Sequence, residues 1–264
     1  LSLHDALPIL QLDGRIIDRA VKWDLGVNFS LNRSKVLVLS EDKDIFGGEL
    51  DNTILKDQLN LMRVGEPMYV FYGYVEDGYD ENGHIVYKNM DDDPAITAAD
   101  KTIIGDPNPD FLVNLTTAVS YKGFTLSAFF QSSIGNDIYS LSMAAQAYDY
   151  GYNGNTLREV YYNHWTPENP TAKYPNLDQT SYKMSDRFVY DGSFVRLKNL
   201  ELAYDVPCAR SKFIKRARVY VSAQNLFTIT SYPFWDPDTH TTAGRRSPPD
   251  HGRPWENGPE PNPG

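Results

Sequence analysis

Cysteine is almost absent from this chain of 264 residues, in which Cys208 is the only one. A single thiol excludes an internal disulfide framework and a cysteine-based zinc site. No stretch approaches the ~18 consecutive apolar residues that a membrane-spanning helix requires, and residues 1–10 have neither the basic region nor the cleavage site of a signal peptide. These features do not exclude a β-barrel membrane protein, because barrels cross bilayers with strands.

Basic residues are also few. The chain has 25 Lys and Arg and 35 Asp and Glu, which gives a net charge of −10. Residues 41–110 hold 17 acidic and 5 basic side chains, a local balance of −12. Binding to phosphates requires clustered Lys and Arg. Nucleic acid is therefore excluded as a partner, and the acidic segment is expected to be a solvated face.

Catalytic signatures are missing as well. The five histidines are scattered, and neither an H-E-x-x-H nor a G-x-S-x-G pattern occurs. The sequence therefore predicts no catalytic residues and a protein that is not an enzyme.

What the chain has in abundance is strict alternation of apolar and polar residues. From residue 21 to 31 the odd positions are apolar and the even ones polar or glycine, and similar runs occupy 111–121, 124–130, 199–206 and 218–229, with a break at Asn225 and Leu226. Eleven residues match a tilted transmembrane strand, whereas strands of soluble sheets are usually about 5–6 residues long. The length favours a barrel; a soluble secreted β-sandwich that binds or hydrolyses carbohydrate is the alternative.

The connections between these runs have two lengths. Lys122 and Gly123 form a tight turn, and residues 207–217 a compact basic link, whereas residues 33–110 and 134–188 are far longer than ordinary loops. Alternating short and long connections are typical of outer-membrane barrels, whose long loops face outward. The acidic segment is thus expected outside the cell.

Six segments together resemble the SusC/RagA family of TonB-linked outer-membrane transporters. They occur in the family's order at 64–67 (VGEP) with 71–74 (FYGY); 100–109 (DKTIIGDPNP); 121–124 (YKGF) with 129–131 (FFQ) and 135–139 (GNDIY); 165–170 (WTPENP); 191–199 (DGSFVRLKN); and 219–228 (VYVSAQNLFT). The resemblance covers roughly residues 15–238. Residues 1–14 and 239–264 do not match, and the second of these segments is expected to be a disordered tail.

The resemblance implies an all-β fold, a partial antiparallel transmembrane β-barrel with long extracellular loops, which is the C-terminal part of a barrel of roughly 22 strands. It implies a location in the outer membrane, against lipid, and import of nutrient oligomers, either oligosaccharide or peptide. A SusD-like lipoprotein would be a partner, and TonB would act through an N-terminal part that has no counterpart here. The family implies no cofactor.

One pattern indicates a metal. Asn89, Asp91, Asp93 and Asp100 occupy positions 1, 3, 5 and 12 of a calcium-type loop. Pro94 stands where such a loop needs Gly, and Asp100 is shorter than the usual Glu. Calcium is the one candidate cofactor, and a solvated acidic turn is the alternative.

The loop from 134 to 188 is rich in aromatic side chains. Flat rings stack on sugar faces and on peptide side chains, so this loop is the expected place of ligand contacts. The alternative is packing inside the loop or in an interfacial girdle. The candidate residues are Tyr148, Tyr150, Tyr152, Tyr161 and Trp165.

Overall fold

Long antiparallel strands dominate the chain. The computed structural model describes residues 2–6, 8–47, 49–51, 55–148, 155–208, 213–234 and 236–238. The strands are β1 (Ser2–Ala6), β2 (Ile9–Asp18), β3 (Val21–Ser30), β4 (Arg33–Val38), β5 (Ile45–Phe46), β6 (Glu49–Asp51), β7 (Lys56–Gln58), β8 (Asn60–Met62), β9 (Val70–Gly73), β10 (Glu76–Tyr79), β11 (Ile85–Tyr87), β12 (Thr102–Gly105), β13 (Phe111–Tyr121), β14 (Phe124–Ile134), β15 (Asp137–Tyr139), β16 (Val189–Asp191), β17 (Phe194–Val206) and β18 (Ala217–Thr230). The helices are α1 (Leu141–Tyr148) and α2 (Arg158–Tyr162), with 3-10 turns at Ser40–Asp42, Ala98–Asp100 and Asp186–Phe188.

Six of these strands form one antiparallel sheet, which we call the wall. Its order is β2-β3-β13-β14-β17-β18. Every run of alternating residues in the sequence lies in one of these strands, so that part of the fold prediction is confirmed. Among the described residues, no further strand pairs with the outer edges of β2 and β18, so the wall is an open sheet. An open wall of long strands is the partial barrel that the resemblance implied.

Short and long connections alternate along the wall as predicted. At one rim, residues 19–20, 122–123 and 207–216 link neighbouring strands; at the other, 31–110 and 135–193 connect β3 to β13 and β14 to β17. Lys122 and Gly123 both have positive φ, 46° and 85°, which is the backbone of a primed turn that matches the strand twist. We call the first edge the short-turn rim.

One face of the wall is apolar across all six strands. Val27 of β3 lies opposite Leu12 of β2 and Leu115 of β13, and residues directly opposite each other in antiparallel strands share a face. This apolar face comprises Leu10, Leu12, Trp23, Leu25, Val27, Phe29, Val113, Leu115, Val119, Leu126, Phe130, Leu200, Leu202, Val219, Val221, Phe227 and Ile229. The polar face opposite it carries Asp24, Asn28 and their neighbours.

The break in the alternation at Asn225 is a pair of β-bulges. The register of β17 with β18 shifts between Leu197 and Asn199, and Asn225 has a φ of 50°. An extra residue in a strand would turn all later side chains to the wrong face unless a bulge absorbs it. Across the two register shifts β18 advances four residues, from Ala223 to Phe227, opposite three in β17 and two in β14, and Phe227 and Ile229 lie on the apolar face.

Strand β2 was not predicted, although it pairs with β3 along its whole length from Ile9 onward. Its register shifts between Arg15 and Ile17, so the adjacent Ile16 and Ile17 obscure the alternation in the sequence. The wall thus includes residues 9–14, which belong to the N-terminal segment without a match to the family motifs. Residues 239–264 lie outside the described part of the chain.

The hydrophobic core lies in the long connections and not in the wall. Residues 31–110 and 135–193, which we call the outer-loop unit, supply every member of the main buried cluster, including Leu59, Tyr74, Tyr139 and Phe188. In contrast, Val219 and Val221 on the apolar face are 65% and 72% exposed. A soluble sandwich would cover this face with a second sheet. None does so among the described residues, so the structure favours a barrel wall whose apolar face meets lipid.

No helix in the described part of the chain is long and apolar enough to cross a membrane.

Candidate functional site

Glu76 and Arg187 join the two halves of the outer-loop unit. Arg187 Nε donates to both carboxylate oxygens of Glu76, at 2.9 and 2.8 Å, and Ser185 Oγ donates to Oε1 at 2.6 Å. The Arg187 side chain is only 16% exposed and the Glu76 side chain only 10%. Burial by itself would lower the pKa of Arg187, but the hydrogen bonds and charge of Glu76 outweigh it and raise that pKa. Arg187 therefore stays charged, and the pair cross-links segments 111 positions apart.

Backbone hydrogen bonds surround this ion pair. The amide of Tyr74 donates to Met184 O, and the amide of Asp186 donates to Tyr74 O. The Asp186 carboxylate in turn accepts from the amide of Glu76 at 3.0 Å. The two long connections thus form one folded body at the rim opposite the short turns.

Of the predicted ligand aromatics, Tyr148 is part of the core. Its ring stacks on Tyr182 with centroids 3.7 Å apart, and it meets Phe188 edge-on. It is 5% exposed, and burial raises the pKa of its hydroxyl. This side chain packs inside the loop, which was the alternative interpretation.

Trp165 is held against a glycine. A Cβ at Gly83 would lie 2.2 Å from Trp165 Cδ2, so only glycine admits the indole there. Gly83 also has a φ of +78° in the turn between β10 and β11, a conformation that favours glycine. One face of the indole is therefore covered by the other half of the outer-loop unit.

Tyr161 is exposed, in contrast to Tyr148. It lies in α2 beside Tyr162, with ring centroids 5.2 Å apart and planes at 87°. The two rings are 59% and 65% exposed, and the Arg158 guanidinium lies 5.5 Å from the Tyr162 ring centroid. We call Tyr161 and Tyr162 the tyrosine pair. Tyr150 and Tyr152 lie outside the described residues.

The calcium-like loop is closed by hydrogen bonds to its own backbone. The Oδ1 atoms of Asn89, Asp91 and Asp93 each accept the amide hydrogen two residues further on. Asp100 is fully buried and accepts from the amides of Met90 and Thr97 at 2.7 Å each, which lowers the pKa of its carboxyl group. Among the described residues, no three His, Cys, Asp or Glu side chains gather as a metal site. Calcium binding stays a prediction.

A pair of hollows lies on the polar face of the wall, where the sequence predicts no site. They measure about 370 and 270 Å³ and adjoin at Gly26. A Cβ at Gly26 would lie 2.5 Å from Asp13 Oδ1, so the missing side chain makes room for the carboxylate. Asp24 accepts from Arg15 Nε at 2.8 Å. Strand β2, which the sequence did not predict, supplies Asp13 and Arg15. The signal in the sequence was Gly26, a glycine among the polar residues of β3.

Comparison with known proteins gives consistent results. No model of a protein family matches the chain. The TonB-dependent receptor P3 of Formosa agariphila is 31% identical over 243 residues, which cover 85% of this chain and 24% of that receptor. The TonB-dependent receptor SusC of Bacteroides thetaiotaomicron is 28% identical over 233 residues, 84% of this chain and 23% of SusC.

Two solved structures agree with these relatives. A structure of the RagAB peptide transporter matches with a TM-score of 0.74 and 26% identity, over 89% of this chain and 26% of that one. The RagAB peptide importer in the closed-closed state matches with a TM-score of 0.72 and 25% identity, over 86% and 26%. The predicted resemblance to SusC/RagA-type TonB-dependent receptors is confirmed.

The same comparisons confirm an outer-membrane location and the barrel fold of such a receptor. The chain spans about a quarter of the length of the curated relatives that it matches. The wall and the outer-loop unit are therefore one part of a TonB-dependent receptor barrel.

Proposed function

We propose that this chain forms part of the wall and outer loops of a TonB-dependent transporter that imports nutrient oligomers. The observation that carries the proposal is the uncovered apolar face, continuous over six strands, in a chain 31% identical to a TonB-dependent receptor. Lipid is the environment in which such a face is stable, because no second protein layer covers the apolar face among the described residues.

Transport of this kind breaks no covalent bond, so the proposal includes no enzyme activity. Ligand would be held above the barrel between the outer-loop unit and a SusD-like lipoprotein, and TonB would supply the work through a segment outside this sequence. The buried Glu76–Arg187 pair supports this role, because a folded loop body can present a fixed surface to partner and ligand.

Within the outer-loop unit, the tyrosine pair is the proposed ligand contact. Its two rings are exposed and adjacent, whereas Tyr148 is buried and Trp165 is packed on Gly83. An exposed ring face can stack on a sugar or on an apolar peptide side chain. Tyr150 and Tyr152 remain predicted contacts.

Uptake by the full-length receptor tests this function. Cells carrying the receptor and its neighbouring lipoprotein are supplied with fluorescent oligosaccharides or oligopeptides, and uptake is compared with cells that lack the receptor. We expect receptor-dependent uptake of one of the two classes, and it should stop when TonB is removed. Uptake that persists without TonB would contradict the proposal.

Variants then test the tyrosine pair. Each stacking contact is worth about 0.5–1.5 kcal/mol, so replacing both tyrosines by alanine should weaken ligand binding about 5- to 150-fold. Replacing both by phenylalanine keeps the ring faces and should restore binding. Equal binding by the alanine variant and the unmodified receptor would remove the pair from the site.

A further inference from the structure

Arg158 shares one face of helix α2 with the tyrosine pair. Arg158, Tyr161 and Tyr162 occupy positions i, i+3 and i+4, which are neighbours on the same side of a helix, and all three are exposed. Val160, on the opposite side, is 1% exposed and belongs to the main buried cluster. The core therefore fixes the orientation of α2, and the helix presents a guanidinium and two aromatic rings to solvent together.

Arginines that lie over aromatic rings recur in this chain, and most of them bind a carboxylate. Among the described residues four arginines do so, with the guanidinium carbon 5.0–5.6 Å from the ring centroid. Three of the four form ion pairs: Arg63 with Asp44, Arg187 with Glu76, and Arg196 with Asp236 and Asp238. Stacking on a ring orients the guanidinium, whose N–H groups match the two oxygens of a carboxylate. Arg158, over the Tyr162 ring, is the fourth, and no described residue forms an ion pair with it.

The acidic side chain next to Arg158 in sequence is already engaged. Lys173 Nζ donates to Glu159 Oε1 at 2.8 Å, and the Tyr174 hydroxyl donates to Glu159 Oε2 at 3.3 Å. Glu159 and Lys173 thus balance each other. Arg158 supplies an uncompensated positive charge beside the tyrosine pair, although the whole chain has a net charge of −10.

We propose that the ligand of the tyrosine pair carries a carboxylate group and that Arg158 binds it. The inference rests on the proposed function, because it names the chemistry of the ligand at the same contact. The guanidinium donates two parallel hydrogen bonds to the carboxylate, while the rings stack on the adjoining sugar face or apolar side chain. Acidic oligopeptides and acidic oligosaccharides both offer this group, and the experiment separates these two sources.

Matched ligands test the carboxylate. The full-length receptor, purified with its lipoprotein partner, is titrated with fluorescent oligopeptides that contain glutamate or, at the same positions, glutamine. A second pair consists of oligosaccharides of uronic acids and of the corresponding neutral sugars. We expect the acidic member of one pair to bind about tenfold more tightly, because a hydrogen-bonded carboxylate is added, and salt should reduce this preference. The pair that shows the preference identifies the source of the carboxylate.

Three variants assign the preference to a residue. Arg158→Gln should abolish it and leave the affinity for the neutral ligand unchanged, whereas a loss of folding would lower both affinities. Arg158→Lys keeps the charge without the planar fork and should retain part of the preference. The matched control is Lys122→Gln at the short-turn rim, where an exposed ammonium lies 5.1 Å from the Tyr121 ring centroid, and it should retain the full preference.

The outcomes distinguish this inference from the proposed function. Equal affinity for the acidic and neutral members of both pairs would overturn the inference, and so would an unchanged preference in Arg158→Gln. In either case the proposed ligand contact stands if replacing the tyrosine pair by alanine still weakens binding of the neutral ligand. Absence of binding by all four ligands would contradict the proposed function itself, and this inference with it.

Discussion

The indole Nε1 of Trp23 donates to Thr117 Oγ1 across the wall, at 2.9 Å. Trp23 lies opposite Val119 and Thr117 lies opposite Leu25, so donor and acceptor are diagonal neighbours on the apolar face. A buried indole N–H generally needs a partner, and lipid offers none. Thr117 is therefore a polar residue that the apolar face retains for a structural reason.

Thr117→Val removes the acceptor while keeping the β-branched shape. The Trp23 N–H is then unsatisfied, and we expect the free energy of unfolding to fall by about 1 kcal/mol. Urea unfolding of the full-length receptor in lipid vesicles measures this. Thr116→Val on the polar face is the control and should change stability little. Equal stability of the two variants would show that the bond contributes nothing.

Val27→Arg tests which face meets lipid. Val27 lies on the apolar face of the wall, and the next residue, Asn28, lies on the polar face. An arginine facing lipid near the bilayer midplane should cost about 2–4 kcal/mol, whereas Asn28→Arg should be tolerated in a hydrated lumen. Folding yield and urea unfolding in vesicles report both. The reverse order of the two variants would show that the polar face meets lipid.

Glu76→Gln tests the Glu76–Arg187 ion pair of the outer-loop unit. It leaves the buried Arg187 charge uncompensated, which should cost this unit about 3–5 kcal/mol. Hydrogen exchange at the amides of Tyr74 and Asp186 should accelerate about a hundredfold or more. The control is Glu159→Gln, whose partner Lys173 is 57% exposed, and it should cost under about 1 kcal/mol. Unchanged hydrogen exchange in Glu76→Gln would show that the Glu76–Arg187 ion pair does not hold the two halves of the outer-loop unit together.

Asp100 should make the stability of the calcium-like loop, residues 89–100, sensitive to acid. Its pKa is lowered by amide donors of the folded loop, so its stabilising effect is complete above the unfolded value of about 4 and is lost as the pH falls through the lower folded value. We expect the amides of Met90 and Thr97 to be protected from exchange at pH 5 and to open below about pH 4. Asp100→Ala should open them at pH 7, whereas Asp92→Ala should not.

Calcium is tested on the same loop. If Asn89, Asp91, Asp93 and Asp100 hold the ion, calorimetric titration of the chelator-treated receptor should show saturable heat, and Asp91→Asn with Asp93→Asn should remove it. Absence of saturable heat in the unmodified receptor would make the solvated turn the correct interpretation of this loop.

The acidic segment should be accessible from outside the cell. Asp92 is exposed on the outer-loop unit, and Ala20 is exposed at the opposite rim. In intact cells a membrane-impermeant maleimide should label Asp92→Cys and leave Ala20→Cys unlabelled until the outer membrane is opened. The opposite labelling pattern would show that the barrel has the inverted orientation.

Much of the wall could be predicted from the sequence because its determinants are local. A period of two assigns side chains to faces, and Lys122-Gly123 supplies the backbone of a tight turn, so five of the six strands and their faces were recognisable. The sixth strand was missed because the adjacent Ile16 and Ile17, which lie at its register shift, interrupt the period that identifies a strand.

The sequence by itself thus determined five of the six wall strands, the apolar face and the resemblance to TonB-dependent receptors. Only the tertiary structure decided which loop aromatics are exposed, since Tyr148 and Tyr161 are chemically identical yet one is 5% and the other 59% exposed. Their difference depends on contacts between distant segments, as does the Glu76–Arg187 pair across 111 positions. Such contacts follow from how two long connections pack together, and no local period or turn signal encodes that packing.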